Sequence, residues 1–264
     1  MRHHSTAGLT GAQTAELIAR CWQVHTGRPD GDRYDFTLPF GRAVTMVLII
    51  ARHNLPQQLT GDLFGIAQAT VSRIWRYLIP MIGQVTALDR KHLADALERG
   101  TVLIDGTPIP TGNRTGTGTT NYAAKHHKQA LGVQVAAFRD GTLADVSTPV
   151  PGSRHDSRAL DEVGWADQIT AARAKRDWIA VIADTAYVKH TRLTPRKKAR
   201  GQKRRSRADR EHNRHIASLR APVERTIGLL KHWKILATGY RGRLTELPTL
   251  IHIIVNLEFY RQAT

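Results

Sequence analysis

The spacing of apolar and polar positions divides this chain into two regimes. From residue 9 to about residue 99 the apolar positions recur at helical spacing: Leu17, Ile18, Cys21 and Trp22 form one stripe, and Val44, Val47, Leu48 and Ala51 form a second. Two further helices are expected over residues 57–64 and 68–78, separated by a turn at Gly65, with Pro80 marking the end of the second. A looser helical stretch over 81–97 leads to Gly100. At Thr101 the period shortens to that of strands. The runs TVLI, LGVQVAAF, LADVSTPV and WIAVIA each read as a strand, Asp140-Gly141 as a hairpin turn between the second and third, and residues 157–163 as a helix before the fourth. Helical spacing returns over 212–234 and 247–260. The order strand, strand, strand, helix, strand, helices predicts an α/β domain over residues 100–264 behind an all-α domain over residues 1–99.

Composition adds a partner to this outline. The 264 residues, 41% of them hydrophobic, suffice for one large domain or two modest ones with packed cores. Lys and Arg number 39 against 22 Asp and Glu, a formal charge of +17, and so large an excess in a folded chain calls for a polyanion. Nucleic acid fits better than an anionic membrane surface. No apolar stretch approaches the length that spans a bilayer, and the opening MRHHSTAGLT contains no apolar signal-peptide segment. The single Cys21 excludes an internal disulfide framework and a Cys-rich zinc site, and points to a reducing, cytoplasmic setting, at the nucleoid if the partner is DNA.

The charge is concentrated in residues 189–210, a basic loop with Asp209 as its one acid; Lys197, Lys198, Arg204 and Arg205 are its candidate phosphate contacts. A second loop, the Gly-, Thr- and Asn-rich segment over 111–129, is suited to ordering against a ligand.

The segment QLTGDLFGIAQATVSRIWRYL has the outline of a helix-turn-helix, with the second helix opening on small polar residues. In that motif the first turns of the second helix reach bases and phosphates, so Gln68, Thr70, Ser72, Arg73 and Arg76 are candidate DNA contacts, with Val71, Ile74 and Leu78 buried behind them. A plain helix pair with a glycine turn has the same outline, and the basic charge favours the DNA reading.

In the second domain, Asp105 follows the apolar run Val102-Leu103-Ile104, and Asp184 follows another over 179–183. A charge at the end of a buried strand is costly unless something pairs with it, which makes each a candidate for metal binding or catalysis. Glu224 follows Pro222 in SLRAPVERTIGLLKHW; on a continuous helix Arg220, Glu224 and Lys231 would share one face within about 40°. Carboxylates without thiols imply Mg²⁺ or Mn²⁺, two ions being the number that activates an attacking oxygen and stabilises a leaving one in phosphoryl transfer. Asp156 competes with Asp184 for the second position. It has a local explanation, however, as the fourth residue of a capping box, Ser153-Arg154-His155-Asp156, whereas Asp184 has no evident local role.

Five segments in order, VLIDGTPIP, NYAAKHHKQALGVQV, PVPGSRHDSRAL, IADTAY and LRAPVERTIGLLKHW, resemble the DDE-superfamily transposases of the insertion sequence five group, related to the PIF/Harbinger elements. The resemblance covers nearly the whole chain. It implies a ribonuclease H-like catalytic domain in which Asp105, Asp184 and Glu224 are the catalytic, metal-holding acids. Ser153, His155 and Asp156 would support them, and Arg220, Lys231 and the basic loop would hold double-stranded DNA. The implied activity is metal-dependent cleavage at terminal inverted repeats followed by strand transfer, within a homodimer or larger assembly that pairs two ends. Two alternatives stay open: a transposase-derived DNA-binding protein without nuclease activity, and a metal-dependent endonuclease without strand transfer. The chain departs from the family pattern at Ala217, where a Tyr is usual, and at Ala183, where a Gly is usual; Ala186-Tyr187 keeps it.

Overall fold

The computed structural model describes residues 5–112, 118–191, 193–198, 200, 202 and 204–263. Part of the Gly- and Thr-rich loop (113–117) and positions 192, 199, 201 and 203 of the basic run lie outside the described residues. The chain divides into two compact units, Met1–Arg90 together with Leu230–Thr264, and Lys91–Leu229.

The first unit is helical. It contains α1 (Gly11–Thr26), α2 (Phe40–His53), α3 (Gln57–Phe64) and α4 (Gln68–Thr86). α1 opens with a capping box in which Thr10 accepts from Gln13 N–H and the Gln13 side chain accepts from Thr10 N–H. The turn between α3 and α4 is closed by Gly65, whose φ of 71° is the left-handed conformation that a helix end favours glycine for. Pro80 does not end α4. The helix runs six residues beyond it, because Val71, Ile74, Leu78, Met81 and Ile82 form one uninterrupted buried stripe while Pro80 itself faces outward.

The second unit holds α5 (Leu93–Glu98) and a six-stranded sheet. β1 (Val102–Pro110) pairs antiparallel with β3 (Lys128–Ala137), whose other edge carries β2 (Tyr122–Ala123), β5 (Val150–Pro151) and β4 (Leu143–Val146). The β3–β4 hairpin turns at Asp140-Gly141, with Asp140 Oδ1 accepting Thr142 N–H at 2.8 Å and Gly141 at a φ of 91°. The third predicted strand is divided into β4 and β5. α6 (Asp156–Glu162) and α7 (Trp165–Lys175) follow, the latter not anticipated from the sequence, and then β6 (Val181–Ala183) pairs parallel with β1. α8 (Arg207–Leu230) takes in the last residues of the predicted basic loop as its first turn.

The last helix, α9 (Leu247–Ala263), departs from the expected boundary at residue 100, since it belongs to the first unit. It packs on α4 so closely that a Cβ at Gly83 would stand 2.6 Å from Ile253, and Asn256 Nδ2 donates to the Gly83 carbonyl at 3.2 Å. Residues from Leu247 to Tyr260 are buried on nearly every side, which marks α9 as a central helix rather than a surface one.

Replacing Pro80 by Ala restores an N–H able to bond the Arg76 carbonyl at an exposed helix position, and is expected to raise unfolding stability by about 1–3 kcal/mol. Urea denaturation of the two proteins measures it; equal or lower stability for Pro80→Ala would mean that the proline is shaped into the packing of α4.

Candidate functional site

β1 and β6 run parallel with Leu103 beside Ile182 and Ile104 beside Ala183. One step further, the same register sets Asp105 beside Asp184, where the apolar part of each strand ends. Arg220, from α8, answers both carboxylates: Nη2 donates to Asp105 Oδ2 at 3.0 Å, and Nη1 lies 3.8 Å from Asp184 Oδ1. The guanidinium is 11% exposed and the Asp105 side chain 22%. Burial pushes the Asp105 carboxyl above the ordinary aspartate range against the pull of Arg220 and of the Gly106 N–H, and Asp184 and Asp156 push it the same way. Asp184 also has a local role that sequence reading missed: its Oδ1 accepts Thr185 N–H at 2.7 Å and caps the short 3₁₀ turn Thr185–Tyr187.

Alternation along β1 turns Asp105 and Gly106 to opposite faces. Val102 and Ile104 join Ala136, Leu160, Trp165 and Tyr187 in the core beneath α6 and α7, so Asp105 points to the opposite face. Gly106 returns to the core face, where a Cβ would meet Asp156 Oδ1 at 2.6 Å and the Tyr187 hydroxyl at 3.0 Å. Tyr187 donates in turn to Gln134 Oε1 at 2.6 Å, a buried bond on β3 directly across from Gly106. The expected capping box at Ser153 does not form. α6 begins at Asp156 with His155 as its N-cap, His155 Nδ1 accepting from Ser157 N–H at 3.4 Å, while the Ser153 hydroxyl donates to the Thr120 carbonyl at 2.7 Å. The loop before α6 is thus tied across to residue 120, and the helix starts two residues later than the box requires.

Glu224 is exposed on α8, four residues after Arg220. Lys231 is not on that helix: α8 ends at Leu230, and Lys231 falls in the other unit, so the single face expected of Arg220, Glu224 and Lys231 is cut short. Among the described residues no three His, Cys, Asp or Glu side chains converge closely enough to hold a metal ion. The two facing aspartates nonetheless offer only hard oxygen donors, the chemistry that suits Mg²⁺ or Mn²⁺, with the Arg220 guanidinium as their present counter-ion. Arg220 Nε is buried with no hydrogen-bond partner among the described residues.

Beside the aspartates lies a cleft of about 420 Å³, lined by Asp156 and Asp184 and by Lys125, His126, Arg154 and Lys197. Of these bases, sequence reading singled out Lys197 alone; the run KHHK at 125–128 was the available signal. Lys197, Lys198, Arg204 and Arg205 are all exposed. The basic run is anchored at one end, with Arg196 N–H donating to Asn213 Oδ1 at 2.7 Å and its guanidinium pairing Asp209 at 3.2 Å. In the helical unit, Gln68, Arg73 and Arg76 are exposed at the start of α4 and Thr70 and Ser72 are half-buried. Their contacts stay local: Gln68 Nε2 donates to Gln57 Oε1 at 2.8 Å, and Arg76 Nη2 to Ser72 Oγ at 3.0 Å. No described helix is long and apolar enough to cross a membrane.

The family described as DDE superfamily endonuclease matches residues 104–258, and the helix-turn-helix of DDE superfamily endonuclease matches residues 37–86. The chain is 31% identical over 237 residues, 87% of its length and 83% of the other protein's, to the "Putative transposase for insertion sequence element IS112" of Streptomyces albus G. No solved structure matches the chain. The helix-turn-helix followed by a mixed sheet with helices is the architecture of a ribonuclease H-like DDE protein.

Arg220→Met leaves the buried Asp105 carboxylate without its counter-ion, and is expected to lower unfolding stability by about 3 kcal/mol at neutral pH. The deficit shrinks as the pH falls through the raised Asp105 range, because a protonated carboxyl needs no counter-ion. A deficit independent of pH would assign the role of Arg220 to packing. Gly106→Ala drives a methyl into Asp156 and Tyr187, with an expected cost of about 1–3 kcal/mol that Gly106→Ala with Tyr187→Phe recovers in part; calorimetry of the two variants decides.

Proposed function

The chain belongs to the DDE superfamily of endonucleases, and from that premise we propose that it is a transposase of the insertion sequence five group that cuts and joins DNA at the terminal inverted repeats of its element. The observation that carries the reading is the pair Asp105 and Asp184 set side by side on parallel strands and bridged by Arg220. Asp105 and Asp184, with Glu224, are the residues that would hold Mg²⁺ or Mn²⁺, two ions in the full site. When bound, such ions supply Lewis-acid stabilisation of the attacking and leaving oxygens in phosphoryl transfer.

The chain's own groups do the rest. Arg220 holds the two carboxylates together and keeps a buried Nε donor that suits a phosphate oxygen. Lys125, His126 and Lys197 line the cleft next to Asp184 and would hold the strand being cut, with Lys198, Arg204, Arg205 and Lys231 adding backbone affinity. Gln68, Thr70, Ser72, Arg73 and Arg76 would read the ends through the major groove. Asp156, in the same cleft as Asp184 and against Gly106, would position Gly106 and α6, with Ser153 and His155 setting the helix start. Two copies or more would be needed to pair two ends, acting in the cytoplasm on nucleoid DNA. One observation favours a second reading, a DNA-binding protein without nuclease activity: Arg220 already supplies the charge between the aspartates, and no three-ligand cluster is assembled among the described residues.

Incubation with linear DNA bearing the element's ends, with and without Mg²⁺, separates the readings when cleavage and joining are scored independently. Cleavage and joining that both require Mg²⁺ are expected, with loss of both in Asp105→Asn, Asp184→Asn and Glu224→Gln and retention of end binding. Asp156→Asn is expected to keep partial activity. Binding without cleavage would establish the second reading, and cleavage without joining an endonuclease.

A further inference from the structure

The helical unit contains a second cleft, of about 490 Å³, lined by Gln68, Ser72 and Arg76 of α4 and by Arg241, Arg243 and Glu246 from the segment before α9. This segment lies some 170 residues further along the chain, yet it borders the start of α4, the second helix of the matched helix-turn-helix and the one proposed above to enter the groove. Within it exposure alternates: Tyr240 is buried, Arg241 exposed, Gly242 half-buried and Arg243 exposed. The two arginines therefore point outward together. Neither guanidinium has a hydrogen-bond or ion-pair partner among the described residues.

The segment is also held in place. Buried Asn54, at the left-handed end of α2, donates through Nδ2 to Thr238 Oγ1 at 2.8 Å and to the Gly239 carbonyl at 2.9 Å. The Tyr240 hydroxyl donates to Glu246 Oε2 at 3.1 Å, which engages the one acid of the cleft. Three arginines against one glutamate leave the cleft positive. A fixed segment presenting two unpaired guanidinium groups beside a recognition helix matches what the phosphate strand bordering the major groove requires.

We propose that Arg241 and Arg243 form a second DNA-contacting edge of the helical unit, gripping the phosphate backbone next to the groove that α4 enters. The inference rests on the DNA-binding reading above and adds to it a surface carried by the far end of the chain. Phosphate contacts carry no sequence information, so their signature is a salt dependence rather than a base preference.

The full-length protein is titrated by fluorescence anisotropy, over a salt series, against a duplex it has itself enriched from a random pool and against a random-sequence duplex of equal length. Arg241→Ala with Arg243→Ala is expected to reduce the slope of log affinity against log salt by about 2, and to weaken both duplexes on the order of 30-fold near physiological salt. Arg241→Lys with Arg243→Lys retains the charge and is expected to stay close to the parent protein. Unchanged slope and affinity in the double Ala variant, with the parent binding normally, would overturn the proposal. So would a change in which duplex is preferred without a change in slope, since that would make these residues base readers. Failure of the parent to bind any duplex would bring down the DNA-binding reading and this inference together, which distinguishes it from the other two results.

Discussion

Two carboxylates on adjacent parallel strands repel each other, and in the sheet-bearing unit the Arg220 cation makes them tolerable. Arg220 comes from α8, more than a hundred residues after β1, and its fork reaches Asp105 and Asp184 together. Because Asp105 is mostly buried, its carboxylate cannot simply relax toward water. α8 is thereby committed to one face of the sheet, while α6 and α7 cover the other, and Gly106 leaves room on that second face for the Asp156 carboxylate and the Tyr187 hydroxyl. The pair of acids thus fixes the placement of α8 through Arg220.

The helical unit has its own buried charge. Glu258 sits in the middle of α9, almost wholly inaccessible, and is satisfied by Trp233 Nε1 at 3.1 Å, by the Arg261 guanidinium and by Gln262 Nε2 at 2.9 Å. Arg52 of α2 lies over the Trp233 ring at 5.6 Å. These contacts fasten the end of the chain to helices formed from its beginning, through interactions with little tolerance for a missing member.

Local pattern carried much of this and stopped where long-range packing took over. The spacing of Val44, Val47, Leu48 and Ala51 gave α2, the glycine turn gave α3 and α4, and the apolar runs before Asp105 and Asp184 located the two facing carboxylates. Pro80 misled because propensity is a local quantity, and a buried stripe continuing on both sides of a proline outweighs it. The run LADVSTPV hid two strands, since each pairs β3 at a different place. By packing α9 groups with the first unit, which sequence did not show because an apolar helix does not declare its partner. The position of Glu224 relative to the aspartates and the cleft bases Lys125 and His126 depend on where α8 and the β2–β3 segment come to rest, which no window of sequence encodes.

The return of α9 to the first unit makes the sheet-bearing unit an insertion within a helical one. During synthesis, residues 1–90 emerge with the Gly83 face of α4 lacking the helix that covers it, and they wait through some 150 residues of chain for Ile253 and Asn256 to arrive. The unit that leaves the ribosome first is therefore the one completed last. Cutting the chain after the fourth helix would leave the Gly83 face of α4 without the helix that covers it.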